Sequence, residues 1–242
     1  MNQTYDYSLN FGLPKRLKKK IKFVVLHYTG MKNEFSAIKR LQDPKSKVSS
    51  HYLIKKNGEI ITLVPDLYEA WHAGLSSWKN YRSLNKNSIG IEITNPGHQF
   101  GYKNFSRKQI SSLEELLKYL IKNYQIKKEC VLGHSDISPN RKKDPGEKFP
   151  WKKLAKKNLG FWYKLDQKKI KRLRGQKLSK KMEKNKFIKN LYKFGYNKIT
   201  GLKYQKSIKY LTLAFQRRFR QNLVDGNIDK ECFLISKNLL IK

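Results

Sequence analysis

The chain has 242 residues, with 54 Lys and Arg against 18 Asp and Glu, so its formal net charge is +36. A chain of this length can bury a core in one large domain or in a medium domain plus a small one, and its apolar content is near the globular norm. No apolar run approaches the roughly 18 residues of a membrane span, and the N-terminus shows no secretory signal core. We therefore expect no transmembrane segment and no export by the usual signal route.

The net charge predicts attraction to a polyanion, such as nucleic acid, anionic lipid or an acidic cell-wall polymer. The excess is almost all Lys and accompanies many Ile, Asn and Tyr residues, a composition typical of AT-rich coding sequence. A solvated basic surface without a partner is therefore an equal alternative. Cys130 and Cys232 lie far apart in apolar segments, which argues against a disulfide framework and against a thiolate zinc site.

The first predicted element is a buried strand at 23–26 that ends in His27. Functional sites of open α/β sheets gather at the carboxyl ends of strands, although a single His in such a place is more often structural. A short helix is predicted to follow at 34–42.

A hairpin is predicted next, because Asn57-Gly58 separates two β-rich runs at 48–54 and 59–64. His51 alternates with apolar residues in the first run. This pattern favours a packed, hydrogen-bonded core role for His51 over metal ligation.

The segment 70–87 is predicted to be a loop that carries Trp71 and His72. Amphipathic rings on a polar loop suit a groove wall that holds a sugar or peptide, and a loop pinned to the core by Trp71 is an equal alternative. A buried strand at 88–93 follows and contains Glu92. A carboxylate there is costly unless it is paired or takes part in chemistry, which favours a functional role.

An amphipathic helix is predicted at 106–124, with Ser106 and Gln109 forming a capping box. A short strand at 130–132 then delivers His134 into a polar stretch, 133–146, with little to bury. Within that stretch Asp136 is interpreted either as a residue that supports the metal ligands from behind or as a loop-capping residue. A last short helix of this half is predicted from 149 to about 156.

The C-terminal third differs in composition, since residues 161–242 hold 23 of the 54 Lys and Arg but 5 of the 18 acidic residues. Helical patterns are predicted at 185–196, 204–220 and 228–240, enough for a small three-helix domain. We therefore divide the chain into a catalytic domain at 1–160, a basic linker at 161–182 and a helical domain at 183–242.

A catalytic zinc takes three protein ligands and keeps a fourth position for water, and His27, His134 and Asp144 satisfy that count. Glu92 could then accept the proton of the attacking water, and Lys142 could face the developing oxyanion. Spacing alone does not define this set, because the histidines lie more than a hundred residues apart.

Five motifs in unbroken order over about residues 20–156 resemble the zinc-dependent N-acetylmuramoyl-L-alanine amidase type 2 family, most closely its AmpD and AmiD branch, which is related to peptidoglycan recognition proteins. The motifs are Val25-Leu26-His27-Tyr28-Thr29, Val48-Ser49-Ser50-His51-Tyr52-Leu53-Ile54, Ala70-Trp71-His72-Ala73-Gly74, Ser88-Ile89-Gly90-Ile91-Glu92 and Gly133-His134-Ser135-Asp136-Ile137 with Lys142-Lys143-Asp144-Pro145-Gly146.

The resemblance implies a central mixed β-sheet flanked by helices, and hydrolysis of the amide between N-acetylmuramic acid and L-alanine of the stem peptide. It implies one Zn²⁺ per chain and a peptidoglycan or muropeptide partner. Position by position, the resemblance implies that the zinc ligands are His27, His134 and Asp144. It implies that Glu92 is the general base and that Lys142 is the cation that stabilises the oxyanion. The residues that would line the substrate groove are Trp71, His72 and Arg82.

The C-terminal third resembles the three-helix peptidoglycan-binding domain appended to such amidases, through segments 210–220 and 223–229. The usual Gly-Pro-x-Thr is replaced by Asp229-Lys230-Glu231-Cys232, and a helical spacer is the alternative. The runner-up function is a non-catalytic peptidoglycan-binding protein. A specific nucleic-acid partner is not expected, since no reading motif is present.

Two location hypotheses remain open from the sequence: the cell envelope or periplasm, which a wall-binding module favours, and the cytoplasm, which the missing signal favours. We expect the envelope. The sequence does not determine the oligomeric state, the stem-peptide preference, or whether the muramic end is ordinary or 1,6-anhydro.

Overall fold

A computed structural model describes residues 2–241 of the chain. The strands are β1 (Gln3–Tyr5), β2 (Phe11–Gly12), β3 (Phe23–Tyr28), β4 (Tyr52–Ile54), β5 (Ile60–Thr62), β6 (Glu69–Ala70), β7 (Ser77–Trp78), β8 (Tyr81–Arg82), β9 (Ser88–Ile93) and β10 (Val131–Gly133). The helices are α1 (Glu34–Gln42), α2 (Arg107–Tyr124), α3 (His134–Ile137), α4 (Trp151–Lys156), α5 (Gln167–Lys171), α6 (Lys181–Phe194), α7 (Tyr204–Phe219) and α8 (Lys230–Asn238).

The centre of the fold is a six-stranded mixed sheet in the order β1-β5-β4-β9-β3-β10. Strands β4, β9, β3 and β10 run parallel to one another, while β5 turns back antiparallel to β4. The predicted α/β class with a mixed sheet flanked by helices is therefore confirmed. Because the four parallel strands end at the same edge, the residues that follow them meet there.

The sheet has one apolar face and one partly polar face, because side chains alternate along each strand. Ile89, Ile91 and Ile93 of β9 pack in a buried cluster with leucines of α2 and with Trp151. The alternate residues of the same strand, Ser88, Gly90 and Glu92, therefore lie on the opposite face. That face carries the polar side chains of the site.

Several predicted elements are confirmed at residue level. Helix α1 spans the predicted residues, with Asn33 as its N-cap, and β4 and β5 form the predicted hairpin. At the start of α2, Ser106 and Gln109 form the predicted capping box, in which the Ser106 side chain accepts from the Gln109 backbone N–H. Asp136 caps α3, because its Oδ2 accepts from the backbone N–H of Gly133 at 2.8 Å.

The three predicted C-terminal helices are present as α6, α7 and α8. They do not stand apart, since Phe187, Phe215 and Phe219 share one hydrophobic cluster with Phe23 and Leu132 of the sheet. The helical layer therefore covers the second face of the sheet at β3 and β10.

The segment 161–182, predicted to be a basic linker or a solvated helix, contacts the C-terminal helices. It contains α5 with buried Ile170, and Arg174 donates two hydrogen bonds to the Glu231 carboxylate of α8 at 2.7 and 2.8 Å. These contacts attach the segment to α8, while most of its side chains are exposed. The domain boundaries themselves stay a prediction.

Among residues 2–241, none of the helices combines the length and apolarity that crossing a bilayer requires.

Candidate metal centre

Three buried side chains converge at the edge where the parallel strands end. His27 ends the buried part of β3, His134 follows β10 directly, and Asp144 lies on the loop beyond α3. The Nδ1 atoms of the two histidines are 2.9 Å apart, and Oδ2 of Asp144 lies 3.0 and 3.1 Å from them. The structure thus brings together the three predicted ligands, and they form a group with the composition of a metal site.

The hydrogen bonds made by Nε2 of each histidine show whether its Nδ1, which points at the other two side chains of the group, carries a hydrogen or a lone pair. Nε2 of His134 lies 3.2 Å from the carbonyl oxygen of Ala73, an acceptor, so Nε2 carries the hydrogen and Nδ1 a lone pair. This is the arrangement in which a metal-binding histidine is oriented by a backbone carbonyl.

A longer chain of hydrogen bonds fixes the tautomer of His27. The Ser88 hydroxyl donates to the Leu84 carbonyl at 2.6 Å, so its oxygen is free to accept from Nε2 of His72, 3.1 Å away. Nδ1 of His72 then carries a lone pair and accepts from Nε2–H of His27 at 3.1 Å. Nδ1 of His27 is left with a lone pair that faces the centre.

Two nitrogen lone pairs and a carboxylate oxygen therefore face one another within 3.1 Å, with no hydrogen assigned between them. Three acceptors in such a group repel one another unless a cation lies among them. Two imidazoles and one carboxylate also match the ligand set of a hydrolytic zinc. The residues present fit Zn²⁺.

Burial and charge set the protonation of the ligands in the metal-free chain. Burial, reinforced by the neighbouring His134, lowers the pKa of His27 to about 4, which keeps its imidazole neutral at pH 7. Burial alone would raise the pKa of Asp144, but His134 and His27 outweigh it and hold that pKa well below its usual range. Both ligands are thus in the metal-binding form at neutral pH.

Glu92 lies opposite His27 in the register of β9 and β3. Its Oε2 is buried and has no hydrogen-bond partner among the described residues. Burial raises the pKa of Glu92 to about 8, the charge of Asp144 adds to the rise, and Lys142 opposes it. An unpartnered carboxylate with a raised pKa beside a possible metal site is the pattern expected of a general base.

An open cavity of about 510 Å³ lies over these groups. Glu92, Lys142, His134 and Asp144 line it, as does Trp71. Its rim carries further cations and aromatic or aliphatic residues, namely Arg40, Arg141, Lys143, Tyr28, Met31 and Leu41.

Three residues were predicted to bind substrate, and the structure places them differently. Trp71 and His72 line the cavity, but both ring nitrogens of His72 are taken by His27 and Ser88, behind the ligand. Arg82 does not line the cavity; its side chain is exposed, and its guanidinium donates to the backbone oxygens of Lys79 and Tyr81. The substrate contacts of these residues stay predictions, and Arg82 has no structural support.

The predicted core role of His51 is confirmed. The side chain is fully buried, and its Nδ1 accepts from the backbone N–H of Gly90 at 2.9 Å. Its Nε2 lies 3.1 Å from the Tyr68 carbonyl. His51 thus bridges Gly90 of β9 and Tyr68, which lies just before β6, and it does not belong to the group formed by His27, His134 and Asp144.

Several residues of the site were missed from the sequence. Asn85 Oδ1 accepts from the backbone N–H groups of His72 and Ala73 at 3.1 and 2.7 Å, which holds the loop behind the ligands. The alternation Ser88-Gly90-Glu92 could have indicated the polar face of β9. No local pattern indicates Asn85.

Residues 17–147 match the family model described as N-acetylmuramoyl-L-alanine amidase. N-acetylmuramoyl-L-alanine amidase AmiD of Escherichia coli K12 is 36% identical over 237 residues, covering 92% of this chain and 83% of that protein. The 1,6-anhydro-N-acetylmuramyl-L-alanine amidase AmpD of Haemophilus influenzae is 41% identical over 108 residues, 44% of this chain and 56% of that protein.

Two solved structures are similar over most of the chain. The E. coli AmiD complex with anhydro-N-acetylmuramic acid-L-Ala-D-gamma-Glu-L-Lys superposes with a TM-score of 0.78 at 35% identity, covering 91% of this chain and 89% of that one. AmpDh3 of Pseudomonas aeruginosa gives a TM-score of 0.79 at 32% identity, covering 98% and 97%. Both likenesses extend beyond the family model into the C-terminal helices.

Proposed function

This chain belongs to the N-acetylmuramoyl-L-alanine amidase family, and we propose that it uses one zinc ion to cleave the amide between N-acetylmuramic acid and L-alanine in peptidoglycan fragments. It is a hydrolase of the bacterial cell wall. The observation that carries the metal proposal is the group of three acceptor atoms from His27, His134 and Asp144, which lie within 3.1 Å of one another. Two of these residues, His134 and Asp144, also line the cavity.

Zinc held by these three ligands would supply an activated water and a polarised carbonyl. The chain's own residues supply the proton transfers. Glu92 accepts the proton of the attacking water at Oε2, which has no competing partner, and passes it to the leaving nitrogen of L-alanine. A bound divalent cation lowers the pKa of Glu92 from about 8, because it favours the charged form.

Lys142 lies on the cavity wall with Glu92 and Asp144, half-buried, where its ammonium can face the oxyanion. Arg40, Arg141 and Lys143 add positive charge around the same opening. This charge suits the carboxylates of a stem peptide. Because the solved AmiD and AmpDh3 complexes hold anhydromuramic peptides, we propose 1,6-anhydromuropeptides as the first substrate to test.

The test is peptide release from anhydromuropeptides and from sacculi by the purified, zinc-loaded chain, followed by mass spectrometry. We expect free stem peptide with an N-terminal L-alanine, and loss of activity after chelation with recovery on adding zinc. Protein that binds stoichiometric zinc and sacculi yet releases no peptide would support the runner-up, a non-catalytic peptidoglycan-binding protein.

We also propose that the protein works in the cell envelope, with its C-terminal helices near the sacculus. Their partial resemblance to a wall-binding domain and the net charge of +36 against an acidic wall support this. Cell fractionation with activity assays on sacculi and on soluble fragments tests it. Activity confined to the cytoplasmic fraction would reject the envelope.

A further inference from the structure

A buried ion pair joins the C-terminal helices to the metal centre. Arg218, in the last turn of α7, donates from Nη1 to Oδ2 of Asp136 at 2.6 Å, and both side chains are 1% exposed. Arg218 also donates from Nη2 to the Val131 carbonyl of β10 at 3.0 Å, and its guanidinium lies 4.5 Å from the centre of the Trp151 ring. One C-terminal side chain thus contacts α3, β10 and α4.

Tyr196 is the second C-terminal contact with the same carboxylate. Its hydroxyl donates to Oδ1 of Asp136 at 2.6 Å, and the ring is 1% exposed. Burial holds the pKa of Tyr196 well above its usual value, so the hydroxyl remains a donor. With the N–H of Gly133, Asp136 accepts three hydrogen bonds, two of them from the C-terminal helical layer.

Asp136 connects these contacts to two of the ligands. It lies in α3, a four-residue helix too short to be stable without outside support, whose first residue is His134. The next residue, Ser135, donates its backbone N–H to the Asp144 carbonyl at 2.9 Å. A displacement of α3 would therefore move His134 directly and Asp144 through its backbone.

We propose that Arg218 and Tyr196 are positioning residues for the metal centre, so that the C-terminal helices are part of the catalytic scaffold as well as a covering layer. This inference rests on the zinc site proposed above. A buried ion pair adds little net stability compared with apolar residues, which favours a role in fixing one geometry. Neither residue touches the ligands, and both act through Asp136.

A matched control is available two residues beyond Arg218. Arg220 is also fully buried and donates to Asp229 and Asp225 at 2.8 Å, entirely within the C-terminal helical region. Arg218→Met and Arg220→Met each remove one buried guanidinium. The first removes the arginine partner of Asp136, which lies in α3, and the second removes the arginine partner of Asp225 and Asp229, which lie outside α3.

The experiment compares the full-length wild type with Arg218→Met, Tyr196→Phe, Arg220→Met and the double variant Asp136→Asn/Arg218→Met. Zinc affinity is measured by competition with a chelating dye, and the absorption spectrum of the Co²⁺-loaded protein reports on the ligand geometry. We expect zinc binding about 10–100-fold weaker in Arg218→Met, as for losses of residues that orient metal ligands, with a smaller loss in Tyr196→Phe and an altered Co²⁺ spectrum. Arg220→Met should lower Tm without changing either readout.

Unchanged zinc affinity and Co²⁺ spectrum in folded Arg218→Met would overturn the proposal, as would an equal loss of affinity in Arg220→Met. Because Tyr196→Phe and the double variant leave no unpaired buried charge, they keep the test valid if Arg218→Met does not fold. A wild type that binds no zinc rejects the proposed metal site itself, an outcome distinct from the failure of this inference.

Discussion

At the scale of single residues, the roles of the buried polar groups separate cleanly. Glu92 lines the cavity and has one buried oxygen without a hydrogen-bond partner among the described residues, whereas the two imidazoles of the proposed ligands are fixed by hydrogen bonds behind them. Substitutions can therefore remove the proposed general base without removing the proposed metal ligands, and the reverse.

Glu92→Gln should lower kcat by about 10²–10⁴-fold, the usual contribution of a general base, because the amide cannot accept the proton of the attacking water. Zinc content measured by atomic absorption should stay at the wild-type level, since Glu92 is not a ligand. Residual activity within a few-fold of wild type would remove Glu92 from this role.

His72→Ala should weaken zinc binding by about 10–100-fold, because Nε2–H of His27 loses its acceptor and the imidazole its fixed tautomer. His98→Ala is the matched control: His98 also lines the cavity, but its ring bonds to Tyr28 and Glu147 and to neither histidine ligand. Chelator competition measures both variants. Equal zinc affinities in the two variants would show that the hydrogen bonds from Ser88 through His72 to His27 have no influence on zinc binding.

At the scale of elements, the residue that follows α6 packs closely against the hairpin of β7 and β8. Gly195 follows α6 with φ of 149°, and a Cβ there would lie 2.4 Å from the Trp78 ring. Lys79 on the β7–β8 ribbon donates its N–H to the Gly195 carbonyl at 2.7 Å. The helix end is thus pressed against that ribbon.

Gly195→Ala should lower the free energy of unfolding by about 2 kcal/mol or more, from overpacking against Trp78 added to the strain of positive φ. Gly201→Ala is the control, because Gly201 also has positive φ, 76°, but nothing lies within 4 Å of its Cβ position. Urea unfolding gives both values. If the two variants lose the same stability, strain alone accounts for the effect and the close contact is unimportant.

Local sequence patterns predicted the elements that have strong periodicity or capping residues. They failed for elements that form only because they pair with a distant part of the chain. The capping box at Ser106 and the Asn-Gly turn gave α2 and the hairpin, since both signals lie within a few residues. Strand β1 has one partly buried and two exposed residues, and it forms by parallel pairing with β5, which no local signal specifies.

The three proposed ligands could be predicted because two of them follow apolar runs in strands and all three lie in motifs shared with a family. The hydrogen-bond chain behind them could not, since it joins Ser88, His72 and His27 across three elements. Arg218 illustrates the same limit: in a chain this basic, sequence does not distinguish a buried arginine from the solvated ones.

At the scale of the whole molecule, buried titrating groups predict an unusual pH dependence of stability in the metal-free chain. Burial lowers the pKa of His27, His51 and His72, so below pH 6.5 the unfolded chain binds protons that the folded chain does not. Glu92 acts oppositely, because its raised pKa lets the folded chain hold a proton that the unfolded chain has released.

The net difference of about two protons predicts that the free energy of unfolding falls as the pH drops from 6.5 to 5, by up to roughly 3 kcal/mol per pH unit. Between about pH 7 and 8 the proton held by folded Glu92 outweighs the few protons still bound by the unfolded histidines, so stability should fall slightly as the pH rises. Urea titrations of chelator-treated protein measure the curve. A free energy that stays constant or increases from pH 6.5 to 5 would contradict it.

Because one hydrophobic cluster joins the sheet to α6, α7 and α8, a ligand that binds the folded chain should stabilise all of these elements together. A ligand that binds only the folded chain at 100 times its Kd stabilises it by about 2.7 kcal/mol, and in a cooperative unit every element shares that gain. Backbone amides of α8, which contribute nothing to the metal centre, should then exchange with deuterium about a hundredfold more slowly when zinc is bound. Amide exchange in α8 would then report whether zinc is bound at the proposed metal site, although α8 contributes no residue to that site.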